Sequence, residues 1–196
     1  MSAIPRIPAH GGGYAGLRMS AEEFFGLGET QERYELIDGV VVMSPSPLPL
    51  HNAMIAEVIF QLMTFARRVA GVSVFPETDV RLAPALVYRP DIVAYAPGRL
   101  LGTPDRLTIA PDLVVEMLSP GTKAIDLVTK RDDYEAFGVG EYWAIDPADA
   151  RVRAWRRQDE RLIEAAVVGE SVPSAALPGL VLDVRPLREL ARSTRG

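Results

Sequence analysis

Leu113-Val114-Val115-Glu116-Met117-Leu118 is the stretch on which the fold turns. A nearly continuous apolar run of this kind suits a central strand buried on both faces of a sheet. Glu116 is its only charged residue. Burying an unpaired carboxylate costs several kcal/mol, roughly, so this one needs a cation, a hydrogen-bond network or a raised pKa. A functional site supplies that. So does a strand end that reaches solvent, or a buried arginine partner such as Arg89.

Working outward, residues 123–137 read as a helix and Tyr142–Ile145 as the next strand, with Arg151–Trp155 and Leu162–Val168 as antiparallel additions. Upstream, Ile55, Ile59, Leu62, Ala66 and Val69 recur at helical spacing between about Leu50 and Ala70, the longest helix expected. Val72–Phe75, Thr78–Leu82 and Ile92–Tyr95 read as strands. Tyr34-Glu35-Leu36-Ile37 and Val40-Val41-Val42-Met43 flank Asp38-Gly39, a dipeptide suited to the positive φ values of a type I′ hairpin. Ser20-Ala21-Glu22-Glu23 matches a capping box opening a short helix. The order predicts an α/β fold, a central mixed sheet flanked by helices with an added N-terminal hairpin. Residues 1–17, with Gly11-Gly12-Gly13, read as a flexible arm, and residues 18–196 as a single domain.

The chain has 196 residues, 48% hydrophobic and 24% charged, which excludes a disordered chain or a fibre. It has no cysteine, so disulfides, thiolate zinc sites and cysteine nucleophiles are excluded. No apolar run approaches the roughly 20 residues of a membrane span and no signal-like N-terminus is seen, so no membrane partner and a cytoplasmic location are expected. The net charge of −5 is uneven: residues 1–149 hold 12 basic and 20 acidic residues, whereas residues 150–196 hold 9 and 6. An acidic chain gains little from phosphate neutralisation unless a metal or a local arginine patch supplies positive charge. Arg151, Arg153, Arg156, Arg157 and Arg161 form such a cluster, which also reads as a solvated face or a dimer rim.

Four residues stand out as candidates for chemistry. Asp91 follows Pro90 at the mouth of Ile92-Val93-Ala94-Tyr95, where a short carboxylate projects towards a cleft. With Glu116 on a neighbouring strand, oxygens converging to about 4 Å would make a hard site for magnesium or manganese. Lys130 shares a helical stripe with Leu127, Tyr134 and Phe137, so its ammonium leaves from the apolar side and needs an anion. The competing reading is an exposed i,i+4 pair with Asp126, the stem reaching water. Lys123, the only other lysine, has a similar claim. Glu35 alternates with apolar neighbours in the hairpin, and Glu57 reads as a solvated helix face. His51, one of two histidines, reads as an end-of-helix or packing residue, and no histidine pair builds an imidazole metal site. Serine-hydrolase and phosphate-loop signatures are absent.

Taken in order, Tyr34-Glu35-Leu36-Ile37-Asp38-Gly39, Ser44-Pro45, His51, Arg89-Pro90-Asp91, Pro111 through Pro120, Lys130, Tyr134 and Glu141-Tyr142-Trp143 resemble the Uma-two (Uma2) family over roughly residues 20–170. That family is placed among restriction-endonuclease-like proteins of the PD-(D/E)XK nuclease superfamily. The resemblance implies a restriction-endonuclease-like core and a metal-dependent DNA endonuclease. Asp91 and Glu116 would be its ligands to Mg2+ or Mn2+, Lys130 its lysine and Glu35 an accessory acid. The superfamily usually carries lysine two residues after the second acid, where this chain has Leu118, so lysine arrives from the following helix. A homodimer is expected for cutting both strands. The competing functions are a non-catalytic nucleic-acid-binding or assembly domain and a metal-dependent hydrolase of small phosphate esters.

Overall fold

A computed structural model describes residues 13–193, and most of the expected N-terminal arm lies outside them. In chain order the elements are α1 (Ala21–Phe25), β1 (Tyr34–Ile37), β2 (Val40–Met43), α2 (Pro49–Ala66), β3 (Ser73–Pro76), β4 (Val80–Ala83), β5 (Leu86–Tyr88), β6 (Ile92–Tyr95) and β7 (Leu113–Met117). A π-helical segment, Ile125–Lys130, then runs directly into α3 (Arg131–Ala136). The chain closes with β8 (Glu141–Asp146), β9 (Arg151–Gln158), β10 (Arg161–Ala165), β11 (Ser171–Pro173), β12 (Val181–Asp183) and α4 (Arg185–Ser193). These elements fall into two compact units. The first runs to Ser46 and adds Asp79–Arg89 and Arg106–Ile109. The second takes Pro47–Thr78, Pro90–Asp105 and the chain from Ala110 onward.

The first unit is a four-stranded sheet in the order β2-β1-β5-β4. Asp38 and Gly39 turn the hairpin at φ 51° and 74°, both in the left-handed region that a type I′ turn requires. Leu36 of β1 pairs in turn with Val87 of β5, a short strand between two prolines that carries no pattern of its own. Met19, Phe24, Tyr34, Leu36, Val41 and Val87 form its core. The capping box closes as its residues dictate: Ser20 Oγ accepts from Glu23 N at 3.2 Å and the Glu23 carboxylate accepts from Ser20 N at 2.8 Å. The last residues of the expected arm pair with the hairpin, Gly16 N donating to Val41 O and Val41 N to Leu17 O.

The second unit is built on a six-stranded mixed sheet, β10-β9-β8-β7-β6-β3. Every residue of β7 is buried, as its apolar run dictates. β7 and β8 are parallel, whereas the other neighbours pair antiparallel. A parallel pair needs a crossover, and the helical stretch between β7 and β8 supplies it. Met54, Ile55, Val58, Leu62 and Phe65 of α2 join Ile92, Leu113, Val115 and Trp143 in the core. That helix ends at Ala66, four residues short of the expected Ala70.

Candidate active site

The register of the second sheet brings the first two candidate residues together. Ile92 pairs with Val115 and Val93 with Val114 across the antiparallel β6–β7 ladder. Carried on by one residue, that register sets Asp91 opposite Glu116, and opposed residues share a face. The side-chain contacts agree. Asp91 N donates to Glu116 Oε2 at 3.4 Å, and Met117 N donates to Asp91 Oδ2 at 2.7 Å. His51, at the start of α2, places Nε2 3.4 Å from Asp91 Oδ1.

Lys130 reaches the same place from the crossover helix, Nζ donating to Glu116 Oε1 at 3.0 Å. Tyr134, one α-turn later, donates its hydroxyl to the same oxygen at 2.8 Å. The group is withdrawn from water: Asp91 is 5% exposed, Glu116 4%, Lys130 6% and Asp126 3%. The stem of Lys130 therefore does not run out to solvent. Its contact with Asp126, Nζ to Oδ1 at 3.7 Å, is buried and shared with Glu116, not the exposed surface pair of the alternative reading. Thr122 Oγ1 donates to Asp126 Oδ2 at 2.7 Å, and the Tyr142 hydroxyl donates to the Asp126 carbonyl at 3.1 Å. Burial pushes the Tyr142 phenol well above its usual pKa, and the charges of Glu116 and Asp126 push it further, so it stays a donor.

Two further candidates have other partners. Lys123 is half exposed and pairs with Asp146 at 2.7 Å. Glu35 belongs to the first unit, where it accepts from Arg89 N at 2.9 Å and from Ser44 Oγ at 3.5 Å. Arg89 places its guanidinium on Asp79, Nε at 2.6 Å and Nη2 at 3.0 Å. The arginine cluster is spent largely on the protein itself. Arg153 forks onto Glu164, Arg156 binds the fully buried Glu141 and the Pro173 carbonyl, and Arg157 caps the carbonyls of Tyr134, Glu135 and Val139. From sequence alone Asp126 reads as a surface partner and His51 as an end-of-helix or packing residue. The signal for Asp126 was its i,i+4 relation to an inward lysine; His51 offered only its place at a helix start.

The arrangement suits cation and phosphate chemistry. Short hydrogen bonds orient each carboxylate through one oxygen, Asp91 Oδ2 and Glu116 Oε1, while Asp91 Oδ1 and Glu116 Oε2 carry the 3.4 Å contacts. These are hard oxygens, matched to magnesium or manganese. Among the described residues no group of three or more His, Cys, Asp or Glu side chains could hold a metal.

Against known proteins, a family model described as "Uma2: Putative restriction endonuclease" matches residues 21–185. The fold is similar to a crystal structure from Anabaena variabilis described as a "putative nuclease belonging to DUF820". The TM-score is 0.75 at 22% identity, covering 88% of this chain and 99% of that one. No curated protein matches at a significant level.

Proposed function

The chain belongs to the Uma2 family, and on that premise we propose that it is a magnesium- or manganese-dependent endonuclease acting on DNA. The observation that carries this reading is the meeting of two carboxylates, Asp91 just before β6 and Glu116 on β7, with the helix-borne ammonium of Lys130 at one end of the six-stranded sheet. Asp91 and Glu116 would hold the ion, a small carboxylate set of the kind magnesium accepts while keeping water and substrate phosphate in its shell. When bound, such an ion polarises the scissile phosphate and lowers the pKa of a water to supply a hydroxide nucleophile. Tyr134 O–H and Met117 N–H fix the two carboxylates in place. Lys130 offsets the negative charge that grows on the phosphate in the transition state, acting in a site from which most water is excluded.

The test is cleavage of supercoiled plasmid, single-stranded DNA and RNA with each ion in turn. Cleavage of DNA is expected with magnesium or manganese, to be stopped by chelation, and to fall at least about a hundredfold in Asp91→Ala and in Glu116→Gln. Undiminished cleavage by those variants, or none by the wild type with either ion, overturns the reading. The internal engagement of Arg153, Arg156 and Arg157 favours a second reading, a non-catalytic domain that retains the nuclease fold. An inactive wild type would point there.

A further inference from the structure

We infer that Asp126 is a positioning residue, a second seat for the Lys130 ammonium that releases Glu116 to bind the cation; this rests on Asp91 and Glu116 being the ligands. In the present arrangement Lys130 Nζ sits on Glu116 Oε1 at 3.0 Å. A divalent cation arriving on the same carboxylate would meet that ammonium at close range, and like charges in a site of low polarity repel strongly. An acceptor for Lys130 other than Glu116 relieves that conflict.

The crossover helix provides a way out. Asp126 Oδ1 lies 3.7 Å from the same Nζ, so a shift of less than about 1 Å turns that contact into a full hydrogen bond. The seat is prepared in advance. Thr122 Oγ1 fixes Asp126 Oδ2, Asp126 N donates to Thr122 O at 2.9 Å, and Tyr142 O–H holds the carbonyl. Both ends of the pair lie on the buried side of Ile125–Lys130, which winds as a π-helix, a local irregularity of the kind found at functional sites. Lys130 can then move between two carboxylates without leaving the interior, and Glu116 keeps the Tyr134 hydroxyl that orients it.

Calorimetric titration with manganese tests this without any measure of turnover, in the wild type, Asp126→Asn, Lys130→Met and the double variant. Asp126→Asn keeps the shape and an acceptor for Thr122, and it is expected to weaken manganese binding about tenfold, as changes next to a ligand commonly do. Lys130→Met is expected to tighten binding, and in that background Asp126→Asn should change affinity by less than about twofold. An unchanged affinity in Asp126→Asn overturns the inference. So does an equal loss with and without Lys130, the signature of a plain electrostatic field. If Asp126→Asn does not fold, Thr122→Val takes its place with the same pattern expected. An Asp91→Ala arm separates the two levels: wild-type binding that survives Asp91→Ala removes the proposed ligands themselves, and the seat with them.

Discussion

At the scale of single residues, the decisive quantity is the cost of separating buried charges. Lys130, Glu116 and Asp126 lie almost wholly out of water, and removing one member of such a group leaves another without compensation. Lys130→Met is accordingly expected to lower metal-free stability by about 3–5 kcal/mol, the range for breaking one side of a buried pair, read as a shift in the urea midpoint. An exposed pair would lose only about 0.3–0.5 kcal/mol, so a small shift would refute the buried arrangement. Added manganese should recover part of the loss by replacing the missing positive charge. Lys130→Arg keeps the charge but swaps a compact ammonium for a planar fork. It should preserve more stability than Lys130→Met and still fail to support DNA cleavage. Glu116 and Lys130 were legible in the sequence because each breaks an apolar pattern. Asp126 was not, because an acid four residues before a lysine ordinarily makes an exposed surface pair, whereas here both are buried and Phe137 is left exposed.

Elements were legible where local chemistry and burial agree. The Asp38-Gly39 turn and the apolar β7 run each demand one structure, and Ile92–Tyr95 was placed to the residue. β5, β11 and β12 went unread because three residues carry too little periodicity, whereas α4 holds Leu187, Leu190 and Ala191 at helical spacing and was open to the same reading as α2. One position shows how closely neighbouring elements are fitted. Gly140 stands just before β8, and a Cβ there would lie 2.7 Å from the backbone oxygen of Asp112, just before the parallel partner β7. Backbone cannot swing aside as a flexible side chain can. Gly140→Ala should cost about 1–3 kcal/mol, the usual penalty of overpacking, and thermal denaturation would show it. Because β7 carries Glu116, the same variant should also bind manganese more weakly under the proposed function. Wild-type melting would mean that the strand ends give way easily.

Across the whole molecule, charge decides how stability depends on pH. Several carboxylates are held below their ordinary range in the folded state: Glu135 by the Leu162 amide and Arg161, Glu164 by the Arg153 fork, and Asp183 by Arg185. At Asp146 partial burial pulls upward, but the Lys123 ammonium and the Ala148 amide outweigh it, and the net shift is down. A depressed carboxylate binds protons less readily folded than unfolded. Its contribution is thus present above the unfolded pKa of about 4 and is lost as the pH falls through the folded value. Tyr95 works in the opposite direction. Burial, helped by Asp112, raises its phenol above the ordinary value, so its contribution is intact below about pH 10 and is lost as the pH rises through the folded value. Urea midpoints should therefore stay level between about pH 5 and pH 9 and decline on both sides. Two variants assign the limbs. Arg153→Gln should lower the midpoint at pH 7 by at most about 1 kcal/mol equivalent, since its pair with Glu164 is partly exposed, and its effect should shrink as the pH falls through the folded value of Glu164. Tyr95→Phe should flatten the alkaline decline. A midpoint that holds constant down to pH 3 would show that these ion pairs contribute nothing to the folded state, and an alkaline limb untouched by Tyr95→Phe would assign that decline to other groups.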